Sequence, residues 1–155
     1  MEQVTINQLT LLVDASPNVI WRALTEPALM KHYRSGWQAQ STWKRGAELE
    51  WVERLEGQEI IRAKGTVMAA YENQRLRYTY YEMDSGLPDE KASYITIDIS
   101  ITVERDGRSC IQLWQGDFAG LPQDVRRARE AGKQWVEALV GLKRISEEQQ
   151  GMRTA

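Results

Sequence analysis

Carboxylate side chains recur where the predicted strands begin and end. Side-chain alternation along each strand assigns six polar residues at these ends to the inner face of the sheet: Glu53, Glu59, Glu82, Ser93, Gln115 and Asp117. Alternate strand ends of an antiparallel meander meet at one edge, where the following long helix begins and brings Arg129. Crowded carboxylates in a partly dry site shift their pKa values and can act as acid or base. A solvated rim of ion pairs gives the same pattern, so both interpretations stay open.

The aromatic residues supply a second candidate set. The chain has six tryptophans and six tyrosines against one phenylalanine. Strand and helix periodicity places four of them between the sheet and the long helix: Trp51, Tyr78, Tyr80 and Trp135. Tyr33 and Trp37 lie near short helices that could cover the same space. Because Trp and Tyr carry a polar atom on a large ring, they suit a semi-polar cavity wall that stacks on a ligand as well as a dry core.

Other kinds of catalytic site are not indicated. His32 is the one histidine and Cys110 the one cysteine, so neither has a companion at metal-ligand spacing, and Cys110 has no histidine near it in sequence. The glycines form neither a phosphate-binding loop nor a dinucleotide fingerprint. We therefore expect no metal and no cofactor.

Strands and helices that position these residues follow from hydrophobic periodicity. The predicted strands cover residues 3–13, 37–42, 47–54, 59–71, 75–83, 92–103 and 109–118. Ser16 and Pro17 start a short helix, and Glu26-Pro27 starts a second helical turn. Apolar residues at helical spacing predict one long amphipathic helix over residues 125–145. These elements predict an α+β helix-grip fold, in which a curved antiparallel sheet wraps one long C-terminal helix and two short helices follow the first strand.

The inner face of the predicted sheet is apolar, most clearly where isoleucines alternate with polar residues from Ile95 onward. Ala63 and Gly65 are small residues on that face. They either leave volume for a ligand or let a helix approach closely, and the sequence favours neither. Asp106-Gly107 is a strong hairpin signal before the last strand.

Composition narrows the class of protein. The length of 155 residues fits one domain, predicted as 1–148, with a polar, frayed tail at 149–155. The net charge is −2 and charges of both signs are interspersed, which argues against nucleic acid or an anionic membrane as partner. Neither a signal peptide nor an apolar run long enough for a bilayer is seen, and one cysteine fits a reducing compartment. We expect a cytoplasmic protein.

The N-terminal helical segment carries a resemblance to a known family. The run ASPNVIWRALTEPAL at residues 15–29 resembles the opening of the START-like, birch-pollen-allergen-like superfamily, whose members show Ala-Ser-Pro followed by Val-Trp-x-Ala-Leu-Thr-x-Pro. It is most similar to the branch related to the C-terminal domain of the activator of the ninety-kilodalton heat-shock chaperone ATPase. The Gly-Trp pair of the family's last helix is approximated by Gly132 and Trp135, which two residues separate here. Gly65-Thr66-Val67 also fits, and the resemblance covers nearly the whole chain.

The resemblance implies a helix-grip fold with a hydrophobic cavity and leaves the function open. We expect binding of a small, largely apolar or aromatic molecule. The alternatives are an enzyme of polyketide cyclase or hydrolase type that uses the cavity-mouth carboxylates, and a co-chaperone-like interaction protein; a homodimer is also left open. Where family members often carry a polar residue, commonly histidine, this chain has Gln115, which argues against a histidine-based role. The co-chaperone's separate N-terminal domain is not seen in this sequence, which argues against full co-chaperone activity.

Overall fold

The computed structural model describes residues 4–154, with side chains as far as Arg153. Across these residues the chain forms three α-helices and a seven-stranded antiparallel sheet in the order β1-β7-β6-β5-β4-β3-β2. The strands are β1 Asn7–Val13, β2 Gln38–Gln40, β3 Glu48–Leu55, β4 Gln58–Tyr71, β5 Arg75–Glu82, β6 Ile95–Val103 and β7 Ser109–Gly116. The predicted helix-grip architecture is confirmed. Position 3, where the first strand was predicted to begin, lies outside the described residues.

Short helices α1, Pro17–Thr25, and α2, Pro27–Met30, follow the first strand. Pro17 occupies the first helical position of α1, as predicted, because its fixed φ suits that site and its missing N–H is not needed there. Ser16 is the N-cap residue by backbone geometry, but its hydroxyl donates to Asn18 Oδ1 at 2.5 Å instead of capping the helix. The apolar face of α1 is buried through Val19, Ile20, Ala23 and Leu24.

The long helix α3, Asp124–Thr154, continues well past the end predicted at residue 145, so that boundary is wrong. The residues predicted as a frayed tail are helical as far as Thr154, and residue 155 lies outside the described part. Contacts with the β1–α1 connection explain the extension, because the backbone N–H of Asp14 donates to Glu147 Oε2 and that of Ser16 to Gln150 Oε1. Within the described chain, no helix combines the length and the apolar character that a membrane crossing requires.

One hydrophobic core lies between α3 and the inner face of the sheet. Ile95, Ile97 and Ile99 are buried, as the alternation predicts, while Val103 at the end of β6 is 63% exposed. The helix contributes Trp135, Leu139 and other residues of the same stripe to that core. The hairpin between β6 and β7 turns at Gly107, whose φ of 88° suits glycine.

A β-bulge interrupts the pairing of β3 with β4. The register shifts after Trp51, which pairs with Ala63, so that Val52 pairs with Ile61 and Arg62 is the extra residue. Side chains of β4 before the bulge therefore lie on the face opposite to the predicted one, and Ile61 is 42% exposed.

Gly65 lies where two strands approach closely. A Cβ at this position would overlap the carbonyl oxygen of Thr79 in the neighbouring strand β5. The close approach of two strands is therefore a reason for glycine that the sequence did not indicate.

Truncation of one side chain on the apolar face of α3 tests this packing. Leu139 is 4% exposed, so Leu139→Ala should lower the free energy of unfolding by about 2–5 kcal/mol, through lost burial and a residual cavity. The matched control is its neighbour Val140, which is 59% exposed and should change stability by no more than about 0.5 kcal/mol on replacement by Ala. Chemical denaturation measures both, and equal losses would contradict the packing.

Candidate functional site

Two adjoining recesses lie between the sheet and the N-terminal half of α3, with volumes of about 320 and 400 Å³. They share five lining residues, Arg34, Tyr80, Glu82, Asp84 and Gln134, and we call them together the cavity. The first recess adds Ser93, Gln115, Phe118, Arg127, Glu130 and Trp135, among others. The second adds Tyr33, Trp37 and Glu137. Of the predicted ligand-binding residues, five therefore line the cavity.

The walls of the cavity come from the ends of strands, from one helix and from two connections. Tyr80 and Glu82 are the last inward residues of β5, and Gln115 lies at the end of β7. Gln134 and Trp135 lie on α3, about three turns after its start. The ends of β5 and β7 thus meet the N-terminal half of α3 at the cavity.

Hydrogen bonds from β5 and from α3 fix the backbone of the connection that follows β5. The hydroxyl of Tyr81 donates to the carbonyl oxygen of Leu87 at 2.7 Å. From the helix, Arg127 donates to the carbonyl oxygens of Ser85 at 3.0 Å and Pro122 at 2.7 Å. The guanidinium of Arg127 is therefore committed to holding backbone, although it lines the cavity.

Arg34 stands in the turn after α2 and reaches between two tryptophans. Its guanidinium carbon lies 4.6 Å from the ring centroid of Trp51 and 4.6 Å from that of Trp135. Both distances are within the range of a cation–π contact. The backbone then turns away through Ser35 and Gly36, with φ of 55° and 83°.

The backbone of that turn is anchored to both long and short helices. The hydroxyl of Tyr33 donates to the carbonyl oxygen of Ala23 in α1 at 2.6 Å, and Arg144 of α3 donates to the carbonyl oxygen of His32 at 3.2 Å. Tyr33 also packs directly on Gly141 of α3, where a Cβ would overlap the Tyr33 side chain. Arg34 thus projects from a fixed backbone.

The space beyond Arg34 is almost filled. A void of only about 10 Å³ remains there, lined by Arg34, Trp51, Tyr78, Trp135 and Leu139 among others, and it is about the size that holds one water. Trp51 and Tyr78, both predicted to line a ligand cavity, line this void and not the open cavity. Trp51 lies 6.5 Å from Tyr78 and 6.4 Å from Tyr80, measured between ring centroids. These rings form an aromatic core behind the cavity.

Electrostatics in the cavity centre on Glu82. Burial raises the pKa of the Glu82 carboxyl above its ordinary value, while the hydrogen bond from the Tyr80 hydroxyl, at 3.0 Å, and the positive charge of Arg34 act in the opposite direction. Burial also raises the pKa of Tyr78 to about 12 and the pKa of Tyr80 well above its usual range. The phenols are therefore neutral near neutral pH, and Glu82 is the better candidate for an acid or base.

Gln115 connects the cavity to the frame of the fold. Its side-chain oxygen accepts a hydrogen bond of 2.9 Å from Asn7 Nδ2, and the same nitrogen donates to the carbonyl oxygen of Ala128 in α3 at 2.8 Å. Strands β1 and β7 are thus joined to the helix at the cavity. Gly132 makes room for Asn7, because a Cβ there would contact the Asn7 amide.

Two of the predicted mouth carboxylates pair within the β3–β4 hairpin instead. Glu53 forms a salt bridge with Arg62 at 2.7 Å, and Glu59 pairs with Arg54 at 3.6 Å. The bulge at Arg62 accounts for the change, since it supplies the partner of Glu53 and moves Glu59 to the outer face.

The remaining members of the predicted cluster also separate. Asp117 is exposed and accepts a hydrogen bond of 2.8 Å from the backbone N–H of Ala119. Arg129 is exposed and, among the described residues, forms no salt bridge with any of these carboxylates. Of the predicted mouth carboxylates, only Glu82 lines the cavity as the described residues define it.

The sequence of this folded region identifies the family. Residues 14–147 match the family described as "Activator of Hsp90 ATPase homolog 1-like protein". The chain belongs to this family. A search of curated proteins finds no significant match.

Solved structures agree with membership of the Hsp90-activator-like family. A Cytophaga hutchinsonii protein is 26% identical with a TM-score of 0.74, covering 96% of this chain and 98% of its own. The Aha1 dimer from Colwellia psychrerythraea is 16% identical with a TM-score of 0.64, covering 92% and 96%. DynU16, a putative protein in the dynemicin biosynthetic locus, is 14% identical with a TM-score of 0.72, covering 95% of this chain and 49% of its own. The latter two similarities are of fold.

Several cavity residues of this Hsp90-activator-like chain are not predicted from its sequence. They are Arg34, Asp84, Glu130, Gln134 and Glu137. The sequence feature that comes nearest to indicating Arg34 is its neighbour Tyr33, which is predicted to lie near the short helices over the cavity. Asp84 directly follows the strand predicted over residues 75–83, and the composition of that connection does not indicate where its side chains point.

The charge environment of Glu82 predicts a measurable titration. Carboxyl-carbon NMR should show the pKa of Glu82 above its usual 4.5. Arg34→Ala should raise that pKa further, because it removes a positive charge that favours the ionised form. Arg105→Ala, on the exposed β6–β7 turn, is the matched control and should leave the pKa of Glu82 unchanged. A fall in the pKa of Glu82 on Arg34→Ala would contradict this geometry.

The same shift predicts a direction for stability. Because the pKa of Glu82 is higher in the folded than in the unfolded protein, its stabilising contribution is complete below the unfolded value of 4.5 and is lost as pH rises through the folded value. Glu82→Gln cannot ionise, so its free energy of unfolding should rise relative to that of the unmodified protein between pH 4 and pH 7. Urea denaturation at both pH values measures the difference.

Proposed function

We propose that this protein binds a small molecule with a flat aromatic or apolar ring in the cavity beside Arg34, Tyr80 and Trp135. The observation that carries the proposal is an open recess with a wall of aromatic rings and a few polar groups directed into it. Its recesses of about 320 and 400 Å³ fall in the size range of small-molecule sites. Tyr80, Trp135 and Phe118 supply ring surface, and Gln115 and Glu82 supply hydrogen-bonding groups.

The distribution of side chains favours a ligand in the open cavity and not in the aromatic core behind it. The region beyond Arg34 is close to full, so a ligand rests against the outer side of the aromatic core. Stacking on Trp135 and Tyr80 gives ring ligands an advantage over flexible chains, because rigid rings lose little conformational entropy on binding.

The comparisons support a role with small molecules without identifying one. DynU16, which shares the fold, is described as a putative protein in the dynemicin biosynthetic locus. The family itself is described by likeness to an activator of the Hsp90 ATPase. The cavity favours ligand binding over a purely protein-directed role for this chain.

A second candidate function is catalysis by Glu82. The observation that favours it is a cavity carboxylate whose pKa burial raises, hydrogen bonded to the Tyr80 hydroxyl. A turnover that Glu82→Gln abolishes while ring binding is retained would establish this second function. Equal loss of binding and turnover would instead assign Glu82 to ligand recognition.

Tryptophan fluorescence tests the proposed function. One- and two-ring aromatic fragments should change the emission with saturation, and Trp135→Leu should weaken their binding at least about tenfold, since it removes the stacking wall. The matched control is Trp114→Leu, on the opposite face of the sheet, which should leave the affinity unchanged. If none of the fragments gives a saturable change in emission, ring binding is refuted.

A further inference from the structure

We propose that Trp51 and Trp135 form a subsite for a flat organic cation, and that the Arg34 guanidinium occupies it in the free protein until a cationic ligand displaces it. The inference rests on the proposed function, because it assigns a charge to the ligand of the same cavity. The chemical class is a planar cation, such as an amidinium or a protonated heteroaromatic ring.

The geometry of the subsite is that of a cation between two aromatic rings. The guanidinium carbon is 4.6 Å from each tryptophan centroid, and Tyr80 stands at the edge of Trp51 with an interplanar angle of 79°. Tryptophan presents the most favourable ring face to a positive charge. A planar cation already fits between these rings, so the space accepts one of similar thickness from outside.

Stacking is the contact that holds the end of the Arg34 side chain. Among residues 4–153, we find neither a side-chain hydrogen bond nor a salt bridge made by Arg34, and the residue is half-buried. Arg127, which also lines the cavity, donates instead to two backbone carbonyls. Because the Arg34 backbone is anchored, its displacement requires only rotation of side-chain torsions.

A cationic ligand exchanges for Arg34 without loss of the favourable contact. It replaces the guanidinium between the rings, whereas a neutral or anionic ring would forfeit the cation–π attraction. The released guanidinium stays within the second recess, whose lining includes Glu82, Asp84 and Glu137. Ion pairs with these carboxylates compensate the guanidinium for the tryptophan contacts that it loses.

The charges around the cavity also favour a cation. The lining residues include four carboxylates and two guanidinium groups: Glu82, Asp84, Glu130, Glu137, Arg34 and Arg127. Glu130 is paired with Arg126 at 3.1 Å, and the three remaining carboxylates attract a cation more than an anion.

Displacement of Arg34 would also join spaces that are now separate. Arg34 lines both recesses of the cavity and the void of about 10 Å³ behind it. The Trp51 indole nitrogen is buried without an acceptor among the described residues.

An isosteric series of probes tests the assignment. Benzamidine, which is cationic at pH 7, is compared with neutral benzamide and anionic benzoate by calorimetry and by NMR of the tryptophan indoles. Benzamidine should bind about tenfold more tightly than benzamide, the scale of a cation–π contact in a partly dry site, and benzoate should bind most weakly.

Arg34→Ala changes ligand affinity in opposite directions under the two assignments. Affinity rises if the site takes a cation that competes with Arg34, and it falls if the site takes an anion that binds Arg34. If Arg34 is an internal competitor, this variant should bind benzamidine about tenfold more tightly than the unmodified protein does. Arg105→Ala, the matched loss of a distant positive charge, should leave the affinity unchanged. Trp135→Leu added to Arg34→Ala should remove the gain.

Other results overturn the inference in distinguishable ways. Tightest binding of benzoate, lost in Arg34→Ala, would make Arg34 an anchor for anions. Equal binding of benzamide and benzamidine would refute the cation preference and leave the proposed ring binding intact. If no probe saturates either protein, ring binding itself fails. Thermal unfolding of Arg34→Ala and Arg34→Gln checks that each variant folds, and both variants should change benzamidine affinity in the same direction.

Discussion

Burial of one face of α3 against the isoleucine face of the sheet is the interaction on which the rest of the structure depends. The burial is uneven along the helix. Ala138, Leu139, Leu142 and Ile145 are in the core, whereas Glu130 and Gln134, nearer the start, line the cavity. Ala128 and Trp135 are also buried, so the N-terminal half of α3 combines core residues with polar groups that line the cavity. One continuous helix thus fixes the position of the site relative to the core.

Arg34 marks the boundary between these two parts. A charged group at the edge of an aromatic core costs desolvation energy, which two tryptophan faces offset in part. A core built for stability alone would be served as well by an apolar side chain of similar size. Stability alone therefore does not account for arginine at this position.

The fold was predictable because its signals are local and periodic. Isoleucines at every second position define β6, and apolar residues at helical spacing define α3. The candidate site was predicted in part, since Tyr80, Glu82, Gln115 and Trp135 follow from strand and helix parity. The parts of the site that were predicted wrongly or missed have identifiable causes. One extra residue in β4, Arg62, reverses the side on which Glu59 lies, and nothing in the sequence indicates where that bulge occurs. Arg34 belongs to a turn whose direction depends on contacts with distant residues, so periodicity gives no information about it.

The contact between Gly141 and Tyr33 has a consequence for the size of the cavity. Because residue 141 has no side chain, the turn that carries Arg34 lies directly against α3. The position of the Arg34 guanidinium is therefore set by a residue that does not itself line the cavity. A bulkier residue at position 141 would move the turn away from α3 and enlarge the cavity while every lining side chain stayed the same. Cavity volume can thus change through the helix that supports the site, without any change in the residues that line it.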